Sequence, residues 1–216
     1  VNMDEEIQLI NQNTRKEKFK NFILNNKKIL IGLCSITILA TISIFIFLEL
    51  KTKNQLKIAS KFNEITQLYE KNNSKKISED LINIINEKDK TYSPLALNFL
   101  IDNKIINNRD QINSFFDLII NEIKLENEIK NLIIYKKALY NSDSSSENNL
   151  LKILKPILNS ESIWKSHSLY LMSEYFLSKN EKEKSKEFLI QIIELENSNP
   201  SIKAEAQKMI NRYFSG

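Results

Sequence analysis

Glycine is nearly absent from this chain, with two in 216 residues, and proline is scarce, with three. Ordinary globular chains carry roughly 7% and 5% of these residues. Strands joined by tight turns draw on Gly, Asn-Gly and Pro, so an all-β or α/β fold finds little punctuation here. Gly32 lies in an apolar run and Gly216 at the last position, which excludes a glycine-rich phosphate loop. The single cysteine, Cys34, excludes an intrachain disulfide and leaves the redox compartment unread. The single histidine, His167, has no cysteine or recognisable acidic ligand pattern around it, so no metal site is expected. Ser168 and Ser173 lie near it, but no Gly-x-Ser-x-Gly elbow or third triad member accompanies them. Charge of one sign is not in excess, with 31 basic and 27 acidic residues and a net charge of +4. The basic residues do not interleave with aromatics as a nucleic-acid footprint does. These absences lead us to expect no enzyme: no catalytic residue, cofactor, metal, small-molecule substrate or nucleic-acid partner. A hydrolase site assembled from distant residues is the rival reading, and the sparse His and Cys argue against it.

What is abundant is Ile, Asn and Lys, a bias that reads as the codon usage of an AT-rich genome. Ile and Asn are indifferent helix formers, so helices in this chain need packing to hold them. Residues Ile29 to Leu48 contain no charged side chain. Twenty residues at ~1.5 Å rise cover ~30 Å, the hydrocarbon thickness of a bilayer. A buried core helix of this length would interrupt its apolar surface. A cleaved signal peptide would have a shorter apolar region and a small-residue cleavage site, whereas this run ends in Phe45-Ile46-Phe47-Leu48-Glu49. The expectation is an uncleaved transmembrane helix over residues 29–49.

Residues 1–28 form a tail that the positive-inside rule places in the cytoplasm, because Arg15, Lys16, Lys18, Lys20, Lys27 and Lys28 outnumber Lys51, Lys53, Lys57 and Lys61 beyond the run. In a bacterial cell, residues 50–216 would then be periplasmic. Phe19, Phe22 and Ile23 recur at i, i+3, i+4 with lysines between them. That spacing predicts a short amphipathic helix at the membrane surface; a frayed polar tail fits the same residues. Translation could start at Val1 or Met3, so residues 1–2 carry no weight.

Beyond the run the apolar spacing is helical throughout. Ala59, Phe62, Ile65, Leu68 and Tyr69 mark a helix leaving the membrane, either a free stalk or a helix packed on the repeats. Leu81, Ile82, Ile84 and Ile85 mark the next, and another opens at Tyr92-Ser93-Pro94, with Pro in its first turn. Ile112 to Ile123 and Ile129 to Leu139 give two more. The polar run Asn141 to Ser146 then breaks the pattern and can cap a helix holding Leu150, Leu151, Leu154 and Ile157. Trp164 to Phe176, Phe188 to Ile193, and Pro200 to Phe214 complete the set.

First helices of successive pairs begin near residues 55, 92, 127, 163 and 200, a step close to the ~34 residues of a tetratricopeptide repeat. The best unit is Leu169-x2-Met172-Ser173-x2-Phe176, then Asn180, then Ser185-x3-Leu189-x2-Ile192. Ser173 and Ser185 would let the two helices approach, Phe176 and Leu189 would fill the space between them, and Asn180 would take the left-handed turn position. The fold expected is all-α: an N-terminal transmembrane helix followed by a tetratricopeptide-repeat-like α-solenoid of antiparallel helix pairs over residues 50–216. Repeat geometry puts His167, Tyr170 and Glu174 on the concave face of such an array. A weaker alignment adds Leu95, Asn98, Asp102 and Lys136. The alternative is that these are simply exposed helix residues.

Four stretches, taken in order, resemble a known family. Lys18-Phe19-Lys20-Asn21-Phe22 and Asn25-Asn26-Lys27 are similar to its Lys-Arg-Phe-Phe and Glu-Asn-Gly-Lys stretch just before an anchor, and the anchor follows at once. Lys90-Thr91-Tyr92-Ser93-Pro94-Leu95-Ala96 is similar to its Asn-Thr-Tyr-Gly-Ala-Leu-Ala helix opening. Leu171-Met172-Ser173-Glu174 and Leu177-Ser178-Lys179-Asn180 are similar to its Leu-Arg-Gly-Glu and Leu-Ser-Lys-Gly-Asp repeat. The chain thus resembles, over nearly its full length, the ancillary subunit of the bacterial Sec translocon, a single-pass inner-membrane protein with a tetratricopeptide-like periplasmic domain. Family glycines are replaced by Asn26, Ser93, Ser173 and Asn180, and the Ser144–Ser146 region is expanded. The resemblance implies an accessory factor of protein export that contacts the translocon channel subunits and binds exported proteins or periplasmic chaperones. A tetratricopeptide adaptor in cell-envelope assembly or cell division would share the same architecture.

Overall fold

The computed structural model describes the backbone of residues 3–69 and 74–214, and side chains within these from Thr14 onward save 74 and 75. The two possible start positions therefore fall one outside this range, at Val1, and one at its edge, at Met3. The described residues form ten α-helices and no strand, the all-helical class expected. The chain divides into two compact units, Val1–Lys57 and Ile58–Gly216.

The first unit holds α1 (Met3–Asn25) and most of α2 (Lys27–Tyr69). The tail is helical over 23 residues, not only around Phe19. Phe19, Phe22 and Leu24 stand exposed on it. At the joint, the Asn26 side chain donates to the Phe22 carbonyl at 2.9 Å. From Ile31 to Leu50 every side chain of α2 is exposed, and the helix is long and apolar enough to cross a membrane. Its hydroxyls make no demand on the surroundings. Ser35, Thr37, Thr41 and Ser43 each donate to a carbonyl three or four residues back, at 2.8–2.9 Å, the back-bonding by which helical hydroxyls satisfy themselves.

The second unit begins inside α2. Ile58 and Ile65 are buried there, and Phe62 and Tyr69 pack on the same cluster. Spaced at i, i+4, i+7 and i+11, they lie on one face, so the last three turns are core rather than stalk. Leu68, on the other side, is 46% exposed. The remaining helices are α3 (Ser74–Asn86), α4 (Tyr92–Asp102), α5 (Arg109–Glu122), α6 (Asn127–Asn141), α7 (Glu147–Leu158), α8 (Lys165–Ser178), α9 (Lys182–Glu194) and α10 (Pro200–Phe214).

Local chemistry sets these boundaries. Asn108 and Ser146 cap α5 and α7 by accepting from the amides of Gln111 and Asn149. Asp89 and Asn199 do the same before α4 and α10, each accepting two amides. Three helices end beside a non-glycine residue with positive φ: Lys88 (54°), Lys104 (51°) and Asn180 (61°). After α8 the Glu181 amide donates to the Phe176 carbonyl at 2.9 Å and the Asn180 amide to Leu177 at 3.0 Å. This double closure uses up two carbonyls that the helix end would leave unpaired. Lys104 and Ile105 close α4 in the same way, onto Ile101 and Leu100.

The core is strung along the chain as three clusters instead of gathering at one centre. The first joins α2 to α5 and reaches Ile133 of α6. The second joins α6, α7 and α8, and the third α8, α9 and α10. Helices pack chiefly on their chain neighbours, and α6 with α8 and α8 with α10 also touch across one intervening helix. Ser93 is fully buried at the start of α4, and its hydroxyl donates to the last carbonyls of α3, Ile84 and Ile85, at 3.0 and 3.1 Å. Ser173 and Ser185 are fully buried, on α8 and α9. Phe176 and Leu189 are buried too but in different clusters: Phe176 stacks on Phe188 at 5.5 Å, and Leu189 belongs with Leu169, Ile192 and Ala206. Phe188 of α9 packs against both clusters.

Candidate protein-binding face

On α8, Leu169, Met172, Ser173 and Phe176 face inward and are buried. His167, Tyr170 and Glu174 fall at i, i+3 and i+7 on another face. Trp164, the residue just before α8, stacks on Tyr135 of α6 with ring centroids 5.8 Å apart and planes 21° from parallel. His167 lies 5.1 Å from the Trp164 ring and 5.9 Å from Tyr135, edge-on to the latter. Offset and edge-on contacts are the favourable arrangements for such rings. The three form one cluster that bridges α6 and α8.

His167 is half-buried, and among the described residues its enclosed Nδ1 has no well-formed hydrogen-bond partner. Burial pushes its pKa below the usual imidazole value, and the neighbouring Ile163 carbonyl opposes this. The Ser168 and Ser173 hydroxyls donate to the carbonyls of Trp164 and Tyr170 at 2.9 and 2.7 Å.

Tyr170 and Glu174 face α10. With Leu177, Ser178 and the α10 residues Glu205, Lys208, Met209, Arg212 and Tyr213 they line a cleft of about 430 Å³. Glu174 reaches solvent, yet loss of water around it raises its carboxyl pKa. Tyr170 is raised by burial first, then by Glu174, Glu205 and Tyr213, and Tyr135 by burial and then Glu174. The Lys208 ammonium is held by Glu205 at 2.6 Å, and the Arg212 guanidinium sits over the Tyr213 ring at 6.0 Å.

The remaining expected residues form a second group. Lys136 of α6 donates to Asn98 of α4 at 3.0 Å. Leu95, 42% exposed, and the exposed Asp102 flank Asn98 along α4. Tyr135 and Lys136 are adjacent on α6, so that helix carries a member of each group. The face expected from the sequence included neither Tyr135 nor Trp164, and it left out α10. The period itself was the available signal, since Tyr135 lies one repeat length before Tyr170.

A second cavity, about 470 Å³, opens between α5, α6 and α7. Its polar groups mostly satisfy one another: Asn113 and Asn141 exchange amide hydrogen bonds at 3.0 and 2.7 Å, and Lys137 pairs with Asp117 at 2.6 Å. Comparison of the chain with protein-family models, curated proteins and solved structures finds no match.

Proposed function

We propose that this chain is a membrane-anchored protein-interaction scaffold, an accessory factor of the Sec export translocon that binds exported proteins or periplasmic chaperones through a helical-repeat groove. The observation that carries the scaffold reading is register. Seven hydrogen bonds involving a side chain join residues 33 to 38 positions apart, from Tyr69–Asn103 at one end to Ser166–Asn199 at the other. A tetratricopeptide array repeats at ~34 residues and stacks its units so that each touches only its neighbours. The strung-out core and the α6–α8 and α8–α10 contacts fit such stacking. In this reading α4, α6, α8 and α10 are first helices, and their common face is the groove.

The apolar, exposed length of α2 supports a membrane anchor. The flanking charges favour a cytoplasmic tail and a periplasmic repeat domain. Protease digestion of residues 58–214 only from the cytoplasmic side of membrane vesicles would overturn that orientation. The anchor would raise the local concentration of the groove at the membrane. Assignment to the translocon rests on the motif resemblance. It is tested by purifying the full chain in mild detergent and identifying what co-purifies. The expected result is recovery of the channel's core subunits, with client and chaperone recovery reduced by Tyr170→Ala and Glu174→Ala. Recovery of division or envelope-assembly proteins instead would remove the translocon assignment and leave the scaffold.

A further inference from the structure

Three successive first helices bring a tyrosine to one region: Tyr135 from α6, Tyr170 from α8 and Tyr213 from α10. Glu174 stands among them, sharing a cleft with Tyr170 and Tyr213 and acting electrostatically on Tyr135 and Tyr170. Among the described residues no salt bridge reaches Glu174. The nearby cations are engaged elsewhere, Lys208 with Glu205 and Arg212 over Tyr213. The third ring of the adjoining aromatic cluster is His167, where burial disfavours a positive charge.

We propose that this cluster recognises a basic side chain, lysine or arginine, on an extended peptide segment lying in the groove. The proposal rests on the groove reading and deepens it. An ammonium or guanidinium pairs with Glu174. Its aliphatic stem lies along the Tyr170 ring, whose face attracts the charge. Glu174 lines the cleft with Tyr170 and Tyr213, and its carboxylate can accept charge-assisted hydrogen bonds from a basic group that enters. An acidic segment would instead meet Glu174 and Glu205.

Trp164 is the only tryptophan of the chain and touches both Tyr135 and His167, so its emission reports on this place. The test titrates the full chain, in detergent, with a short unstructured Gly-Ser-Leu peptide carrying lysines, and with its glutamine and glutamate counterparts. Binding is followed by Trp164 emission and by anisotropy of labelled peptide. We expect the lysine form to shift the emission and to bind about tenfold more tightly than the glutamine form. Glu174→Gln should abolish that preference and Glu174→Lys should turn it toward the glutamate form, with helical circular dichroism unchanged in both. Equal binding of lysine and glutamine forms would refute the basic-side-chain site and spare the groove. Tightest binding of the glutamate form would refute it in favour of an anion site at Lys208 and Arg212. No binding of any form by the parent chain would bring down both readings.

Discussion

Ser185 of α9 is fully buried, and among the described residues its hydroxyl has no hydrogen-bond partner. A hydroxyl left in that state costs about 1–3 kcal/mol, and alanine is also the better helix former. Ser185→Ala should therefore raise stability by about 1 kcal/mol, seen as a higher denaturation midpoint with an unchanged slope. A lower midpoint would mean the hydroxyl has a partner in solution. His167 makes a prediction in pH. Its folded pKa lies below the usual value, so the unfolded chain takes up the proton first as pH falls. The stability tied to this group is whole above about pH 6.5 and is lost as pH falls from there through the folded pKa. His167→Gln should flatten that decline, read as melting temperature at pH 8 and pH 5; an equal decline in both proteins would assign it to other groups. The site residues were unevenly legible at this scale. Tyr170 and Glu174 stand out once the repeat is placed. Tyr135 and Trp164 do not, because an aromatic on a helix reads as core, and their mutual stacking across α6 and the start of α8 is seen only in the structure.

Among the elements, the α8–α9 hairpin is the one whose turn could be read residue by residue. Asn180 was expected in a left-handed conformation and has φ 61°. Asparagine tolerates that region better than most residues. Asn180→Ala should cost about 1 kcal/mol, since a Cβ without the local polar compensation is strained there, whereas Asn180→Gly should be neutral or better. Equal losses in both variants would place the cost in the side chain rather than the backbone. Lys88 and Lys104 adopt the same conformation without any sign in the sequence. Lysine has no preference for it. At Lys104 the turn is closed from outside, by the Ile105 amide reaching the Leu100 carbonyl. Helix positions were most legible in α3, α5 and α7, where the apolar period is strong. The extent of α1 was not, since over its whole length it shows no dominant apolar face. Nor was the separation of Phe176 and Leu189, which depends on how α10 covers α8 and α9.

For the molecule as a whole, hydropathy placed the boundary after residue 49, where charge returns. The compact unit begins at Ile58, because packing follows the Ile58, Phe62, Ile65 and Tyr69 face and not the end of the apolar run. The all-helical class and the apolar N-terminal helix followed directly from scarce glycine and one long uncharged segment. A partner does not follow from composition or fold, since one repeat architecture serves many partners. The central claim is that the face shared by α6, α8 and α10 holds protein partners, and photocrosslinking in intact membranes tests it most directly. A photoreactive amino acid at position 170 should yield discrete protein adducts that decline in Glu174→Lys. The same group at position 187, exposed on α9, should yield none. Adducts of equal yield from both positions, or from 187 alone, would contradict the account.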